Sequence, residues 1–525
     1  MLPAGMPRPS TRANWCCRRR RRREEEVSTE KSMKDLKERT IRGGSARGAA
    51  LAATFILRIG SLMVLARLLD PKDFGLLGMV TAFTGVLSLF RDFGLSAAAV
   101  QRATVSDEQS STLFWINIFF GALLTLVAVA LAPAVATFYR EPRLFLVTTI
   151  VAVGFLLNSA GVQHSALLQR EMRFTTLAWI DVASLAISTG IAVVSAKLGL
   201  GYWALVMMSV CLPLASTIFL WLASGWVPGK LHQRVGLRSM MRFGGAITLN
   251  GLVMYIASNF DKILLGRFWG AESLGIYGRA YQLIRIPTDN LNSAVGDVAF
   301  SGLSRIQDDP IRVRRYFLKG YSLVVALTLP LTAACALFAD EIVFILLGPK
   351  WSAAAGIFRL LAPTMMIFAI TNPLGWLLNS VGLVGRGLKI ALVVAPLMIA
   401  SYFIGLRFGP RGVALAYSAV MMAWALPVIA WAVHGTMISF EDILRAVGRP
   451  LFSIIPAVLL SFAIRLFLGH TLLTLPRLMI ESAIIFAVYF LMLLYVAGQK
   501  AFYLDLLRGL RGPSEIKEKP SAQLS

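Results

Sequence analysis

Long apolar runs separated by short polar breaks dominate the pattern along this chain. Runs of about 18 or more apolar residues mark helices that cross a bilayer, and fourteen such windows can be drawn. They fall at 46–68, 74–91, 112–138, 144–167, 174–196, 201–225, 240–265, 272–300, 316–339, 354–381, 387–406, 412–434, 450–469 and 477–498. Inside lipid every backbone polar group needs an internal partner, so only helices or closed barrels span it. Runs of this length select helices. The expectation is an all-α polytopic membrane protein.

The pattern also repeats. "ARLLDPKDFGLLG" (66–78) aligns with "GRFWGAESLGIYG" (266–278), matching Arg67, Gly75 and Gly78 with Arg267, Gly275 and Gly278 at an offset of 200. Later the offset becomes 210: Leu167 and Leu168 match Leu377 and Leu378, Gly199 matches Gly409, and Ala204 and Leu205 match Ala414 and Leu415. One insertion near 340–350, "DEIVFILLGPK", accounts for the drift. Helices 1–6 and 7–12 then form two six-helix pseudo-repeats, with two C-terminal helices added. Six is even, so both copies enter the membrane from the same side and the repeat is parallel, a transporter design with cargo held between the halves. The implied segments are a disordered basic leader (1–33), a first six-helix lobe (34–230), a second (231–440), two extra helices (441–500) and a tail (501–525).

Composition agrees: 57% of the 525 residues are hydrophobic, and the mean hydropathy is +0.68. The net charge of +24 is inflated by six consecutive arginines at 18–23. That leader has no apolar period, and a translation start near Met33 explains it better than Met1. It could also touch anionic lipid. With the N-terminus inside, about 17 Lys and Arg fall in inner loops against 10 in outer ones, so both termini are expected in the cytoplasm. Cys16 and Cys17 lie in the leader, while Cys211 and Cys335 stand alone in apolar runs. No disulfide framework or metal spacing is present. Nor is there a GxxxxGK[ST] loop for direct ATP use.

Candidate chemistry lies in "LGIYGRAYQLIRIPTDNLN" (274–292). Arg279, Gln282, Arg285, Asp289, Asn292 and Gly296 are spaced 3, 3, 4, 3 and 4, one face of a helix. Three charges near the bilayer centre would cost roughly 8–10 kcal/mol, so this face must meet protein or a water-filled cavity. Pro287 removes a backbone donor and should kink the helix, a feature suited to gating. Arg58, in "TFILRIGSLMVLA", is read as cavity-facing or as paired with an acid such as Asp261. Asp261 with Lys262 is read as a structural pair or outer-cavity feature, or as an ion-coupling site. Asp181 is either a coupling carboxylate or a helix–helix hydrogen-bond partner, and His164 a satisfied polar residue or a substrate contact. "DPKD" (70–73) reads as a turn, since Asp-Pro is turn chemistry.

"LARLLDPKDFGLLGMVTAFTGVLSLFRDFGLSAAAVQR" (65–102), "ALLQREMRF" (166–174) and "NFDKILLGRFWGAESLGIYGRAYQL" (259–283) resemble the bacterial polysaccharide-export flippases. These are the Wzx and WzxC-like members of the multidrug/oligosaccharidyl-lipid/polysaccharide exporter superfamily, and the likeness covers roughly 34–500. The resemblance implies two six-helix lobes around a cavity, and transfer of undecaprenyl-diphosphate-linked repeat units across the bacterial inner membrane. Matched by helix, Arg58, Arg279 and Arg285 become head-group ligands, with Gln282 and Asn292 beside them. Asp261, Asp181, Asp289 and Pro287 become candidates for coupling or gating. The partners implied are the lipid-linked oligosaccharide, membrane lipids, a polysaccharide polymerase and a chain-length regulator, with no nucleic acid, for a monomer. No cofactor, metal or catalytic residue is expected, although a proton or sodium gradient could drive the cycle. Two other classes compete: a cation-coupled drug exporter of the same superfamily, which would want an acidic cavity, and a membrane glycosyltransferase or polymerase, which would want long outer loops.

Overall fold

The structure, a computed structural model, describes residues 49–50, 52–90, 107–230, 237–305, 309–468 and 474–504; the leader and most of the tail lie outside them. Every regular element among these residues is helical. The first half contains α1 (52–68), α2 (Pro71–Ser88), α3 (Asp107–Tyr139), α4 (Arg143–Arg170), α5 (Phe174–Lys197) and α6 (Tyr202–Ser224). A single helical run, Leu237–Arg305, follows. Gly270 (φ 79, ψ 180) breaks it into α7 (237–269) and α8 (271–305). Then come α9 (Pro310–Leu337), α10 (Ser352–Ser380), α11 (Val384–Leu406), α12 (Gly409–Val433), α13 (Phe440–Leu468) and α14 (Thr474–Leu491).

These are the fourteen helices the hydropathy pattern expects. Some starts differ where capping chemistry precedes the apolar run. α9 begins six residues early because Asp309 accepts the backbone N–H groups of Ile311 and Arg312, with Pro310 in the first turn. α13 begins ten residues early on a reciprocal cap: Ser439 Oγ accepts the Asp442 N–H at 3.1 Å, and the Asp442 carboxylate accepts the Ser439 N–H at 3.0 Å. Asp70 and Pro71 make the turn into α2, as the Asp-Pro reading expects.

The repeat is visible in packing. α3 lies on α4, α5 on α6 and α4 on α6; α9 lies on α10, α11 on α12 and α10 on α12. Left-handed backbone recurs at the 210 offset, at Met172 and Gly382, Gly199 and Gly409, and Gly225 and Gly435. The segment inferred as an insertion forms a short extra helix, Ala339–Leu347, between α9 and α10.

Among the described residues ten helices are long and apolar enough to span a bilayer. The other four are α1, α2, α7 and α8, the first two of each half. Charged side chains on a spanning helix must be covered by protein or face a cavity, and these four, which carry Arg58, Asp73, Lys262 and Arg279 among others, meet between the halves. Leu65, Leu69, Phe74 and Leu76 share one core with Leu264, Leu265, Leu274 and Tyr277.

α2 and α8 cross with a two-fold reciprocity. A Cβ on Gly75 would lie 1.7 Å from the Ala271 carbonyl oxygen, and one on Gly275 would lie 1.8 Å from that of Pro71. Residues 71 and 271, like 75 and 275, are repeat equivalents, so each contact is the other's symmetry mate. Around this crossing the halves are bolted together. Trp351 Nε1 donates to the Ala66 carbonyl at 2.8 Å, Arg67 donates to that of Ile345 at 2.8 Å, and Lys350 pairs with Asp70 at 2.7 Å. Trp351 also meets Phe74 edge-on at 5.3 Å. The end of the bundle carrying the α1–α2 turn is therefore sealed. At the opposite end, Trp115 Nε1 to the Gly229 carbonyl ties neighbours within the first half, as Arg314 with Asp442 ties α9 to α13.

α13 and α14 attach to the second half through Ile485 and Tyr489, packed with Phe317 and Tyr321. A buried charge cluster adds to this: Glu341 of the short helix pairs with Arg465 at 2.8 Å and with Arg477. Removing one member of a buried ion pair leaves the others uncompensated, at a cost of about 3–5 kcal/mol. Glu341→Ala is accordingly expected to lower the thermal midpoint of the detergent-purified protein by several degrees. An unchanged midpoint would show that Arg465 and Arg477 find other partners.

Candidate functional site

Behind the seal, three adjoining cavities run along α8. The first, 680 Å3, lies in the first half and is lined by Arg58, Asn158, Asp181, Ser184, Arg279 and Gln282 among others. The second, 400 Å3, lies between the halves and holds Lys262, Arg279, Gln282 and Arg285. The third, 510 Å3, lies in the second half and includes Arg285, Asp289, Phe368, Asn372 and Trp424. Arg279 and Gln282 face the first two; Tyr281 and Arg285 face the last two. The polar face read from the spacing on α8 thus threads all three, which is how charges expensive in lipid are accommodated. Leu274 sits in the core near the seal and Asp289 in the third cavity. At 1.5 Å per residue the stripe from Arg279 to Asp289 runs roughly 15 Å along α8.

The two α8 arginines are held differently. The Arg279 guanidinium lies over the Phe74 ring, 4.5 Å from its centroid, and its Nε is buried without a hydrogen-bond partner. Arg285 pairs with Asp289 at 3.2 Å, one turn on, with both side chains partly exposed. An exposed i,i+4 pair contributes only about 0.3–0.5 kcal/mol, so Arg285 can turn to another anion at little cost. Stacking on an aromatic face fixes the Arg279 plane while leaving its N–H edge for hydrogen bonding.

Several sequence readings need correction. α8 stays helical through Pro287, and the non-helical backbone at Gly270 is the break that separates it from α7. Proline removes one donor from a ladder the flanking turns still hold, whereas Gly270 reaches a positive φ closed to other residues. Arg58, read as cavity-facing or as paired with an acid, lines a cavity that it shares with Asp181. Asp261 and Lys262 are not a side-chain pair. The buried Asp261 carboxylate accepts the Tyr277 hydroxyl at 2.7 Å, while Lys262 turns into the central cavity and donates to Asn259 at 2.6 Å. Neighbours on a helix point about 100° apart, so one lies in the core and the other in the cavity. Adjacency in sequence could not say which of the two enters the cavity; the spacing of Tyr255, Ser258, Asn259 and Lys262, one polar face of α7, was the available signal. The Asn292 side chain lies outside the described residues. His164 is far from the cavities in kind: it stacks on Trp221 at 4.5 Å and meets Trp226 and Phe114 edge-on.

Fourteen helices in two related halves, closed at one end over a polar cavity, define a polytopic membrane transporter. The chain belongs to the polysaccharide biosynthesis protein family, whose model matches residues 64–356. It is 28% identical to the teichuronic acid biosynthesis protein TuaB of Bacillus subtilis (strain 168), over 67% of this chain and 73% of that one. It is 26% identical to the lipopolysaccharide biosynthesis protein WzxC of Escherichia coli (strain K12), over 82% and 88%. Among solved structures it superposes on the lipid II flippase MurJ in an inward closed conformation with a TM-score of 0.69 at 14% identity, covering 88% of this chain and 99% of that one. At that identity the likeness speaks for the fold.

Proposed function

We propose that this protein moves a lipid-linked, diphosphate-bearing oligosaccharide from the inner to the outer leaflet of a bacterial plasma membrane, for assembly of a surface polysaccharide. The observation that carries the reading is the convergence of Lys262, Arg279 and Arg285 on one cavity between the halves. A diphosphate is a compact multivalent anion that cannot cross hydrocarbon unaided, and guanidinium groups bind it with paired donors while staying charged. The relatives' names, teichuronic acid and lipopolysaccharide biosynthesis, support the same cargo class. The lipid chain can stay in the bilayer while the head group enters from the side.

In this reading both termini are cytoplasmic, the sealed end faces outward, and the cavity receives head groups from the inner leaflet. Rocking of the halves opens the α2–α8 crossing and releases the unit outside. A proton or sodium gradient resets the cycle, with Asp181 and Asp289 as the cavity carboxylates available to couple it. A drug exporter taking organic cations is disfavoured, because such cargo would be repelled by three cavity cations. Reconstituted in liposomes, the protein should translocate a fluorescent prenyl-diphosphate oligosaccharide and leave ethidium untransported. Ethidium efflux without lipid translocation would overturn the reading.

A further inference from the structure

We propose that the second-half cavity is a sugar-ring subsite, in which Trp424 stacks against a pyranose of the repeat unit while the cations beside it hold the diphosphate. This rests on the lipid-diphosphate reading and deepens it.

The two side cavities differ in chemistry. The first-half cavity is lined by one aromatic residue, Phe74, and the Arg279 guanidinium already covers that ring. In the second-half cavity Trp424 and Phe368 are both half-buried; the Arg285 guanidinium lies over the Phe368 ring, 5.7 Å from its centroid, so Trp424 is the aromatic face offered to a sugar, with Thr371, Asn372 and Asp289 around it. A pyranose has an apolar C–H face and a rim of hydroxyls. It therefore suits an aromatic face, whose π-cloud is negative, flanked by amide, hydroxyl and carboxylate groups.

A second observation concerns the indole itself. Trp424 Nε1 has no hydrogen-bond partner and is shielded from water, so a small turn of the indole brings its N–H to a hydroxyl in the cavity. A buried N–H left unmatched is costly, and a tryptophan that lines a binding site ordinarily gives that hydrogen to a ligand. An isoprenoid segment, the other occupant an apolar lining could accept, has no acceptor to offer. A sugar hydroxyl does. Position fits as well, because this cavity joins the cationic one through Tyr281 and Arg285. A sugar attached to a diphosphate held by Arg279, Lys262 and Arg285 would enter it directly.

The test uses purified protein in nanodiscs and two probes: the lipid-linked oligosaccharide extracted from a strain lacking this protein, and undecaprenyl diphosphate without sugar. The wild type should bind the sugar-bearing probe about tenfold more tightly than the bare one. Trp424→Ala should erase that difference while leaving bare-diphosphate binding within about twofold, and Trp424→Phe should keep most of it. Asn372→Ala, a milder change in the same cavity, should reduce the difference and guards against misfolding of the alanine variant. Equal weakening of both probes by Trp424→Ala would overturn the subsite and place lipid chain there. An undiminished sugar preference in both variants would overturn it too. Failure of the wild type to bind either probe would instead sink the lipid-diphosphate reading itself.

Discussion

Leucine at Gly75 or Gly275 should abolish surface polymer while the protein still inserts into the membrane. At each position a Cβ would meet a backbone carbonyl oxygen of the facing helix, at 1.7 Å and 1.8 Å respectively. A backbone clash cannot be relieved by choosing another rotamer, so the helices must separate and the cost lies at the upper end of the overpacking range, about 3 kcal/mol or more. Separation also pulls Trp351 from the Ala66 carbonyl and Lys350 from Asp70, because those bonds span the same seam. The sealed state would lose its occupancy, and with it the step that separates loading from release. Polymer at the cell surface should fall at least about tenfold, the effect of a shift of 1.4 kcal/mol or more in a two-state equilibrium. The structural readout is bis-maleimide cross-linking of Asp70→Cys to Lys350→Cys, a spacer being needed because an ion pair between long side chains leaves the backbones further apart than a disulfide spans; it should form readily in the parent and poorly with Gly75→Leu. Equal cross-linking in both would show that the crossing is not what holds this end shut.

Arg279→Glu should be the most damaging single change in the cavity. The wild-type side chain lies over Phe74 with its Nε buried and unpartnered, a position built for a cation awaiting an anion. Glutamate there would repel a diphosphate across a few ångströms in a partly dehydrated space, where charge interactions are several times stronger than in water. Export should fall below detection. Arg279→Lys should retain part of it, because charge remains while the planar, stacked pair of donors is lost. Arg285→Ala should do less than Arg279→Ala, since Arg285 is already partly neutralised by Asp289. Surface polysaccharide per cell at matched protein level checks the order. Equal loss in all the variants would point to a folding role.

Hydropathy, the positions of glycine and a drifting offset were enough to locate the helices, the two halves and the inserted segment, because bilayer thickness sets helix length and repeats share turn geometry. The polar face of α8 was legible for the same reason: charged residues at helical spacing inside an apolar run must avoid lipid. What faced what was less legible. Spacing along one helix does not say which cavity an arginine enters, so it could neither choose between a cavity-facing Arg58 and one paired with an acid such as Asp261 nor name Asp181 as its cavity neighbour. Asp261 and Lys262 looked like a pair because they are adjacent, yet adjacency on a helix separates side chains. Trp424 carried no signal at all; among the described tryptophans its unmatched N–H beside a cavity sets it apart. The reciprocal contact of Gly75 and Gly275 was foreshadowed by their match across the repeat, but the backbone approach appears only in three dimensions.

The central claim is that the cavity cations hold the head group of an inner-leaflet lipid. A deletion strain complemented with Arg279→Ala/Arg285→Ala, at matched protein level, tests it most directly through the leaflet distribution of lipid-linked repeat units. The account predicts accumulation of repeat units on the cytoplasmic face and loss of surface polymer. Normal surface polymer, with units distributed as in wild type, would contradict it.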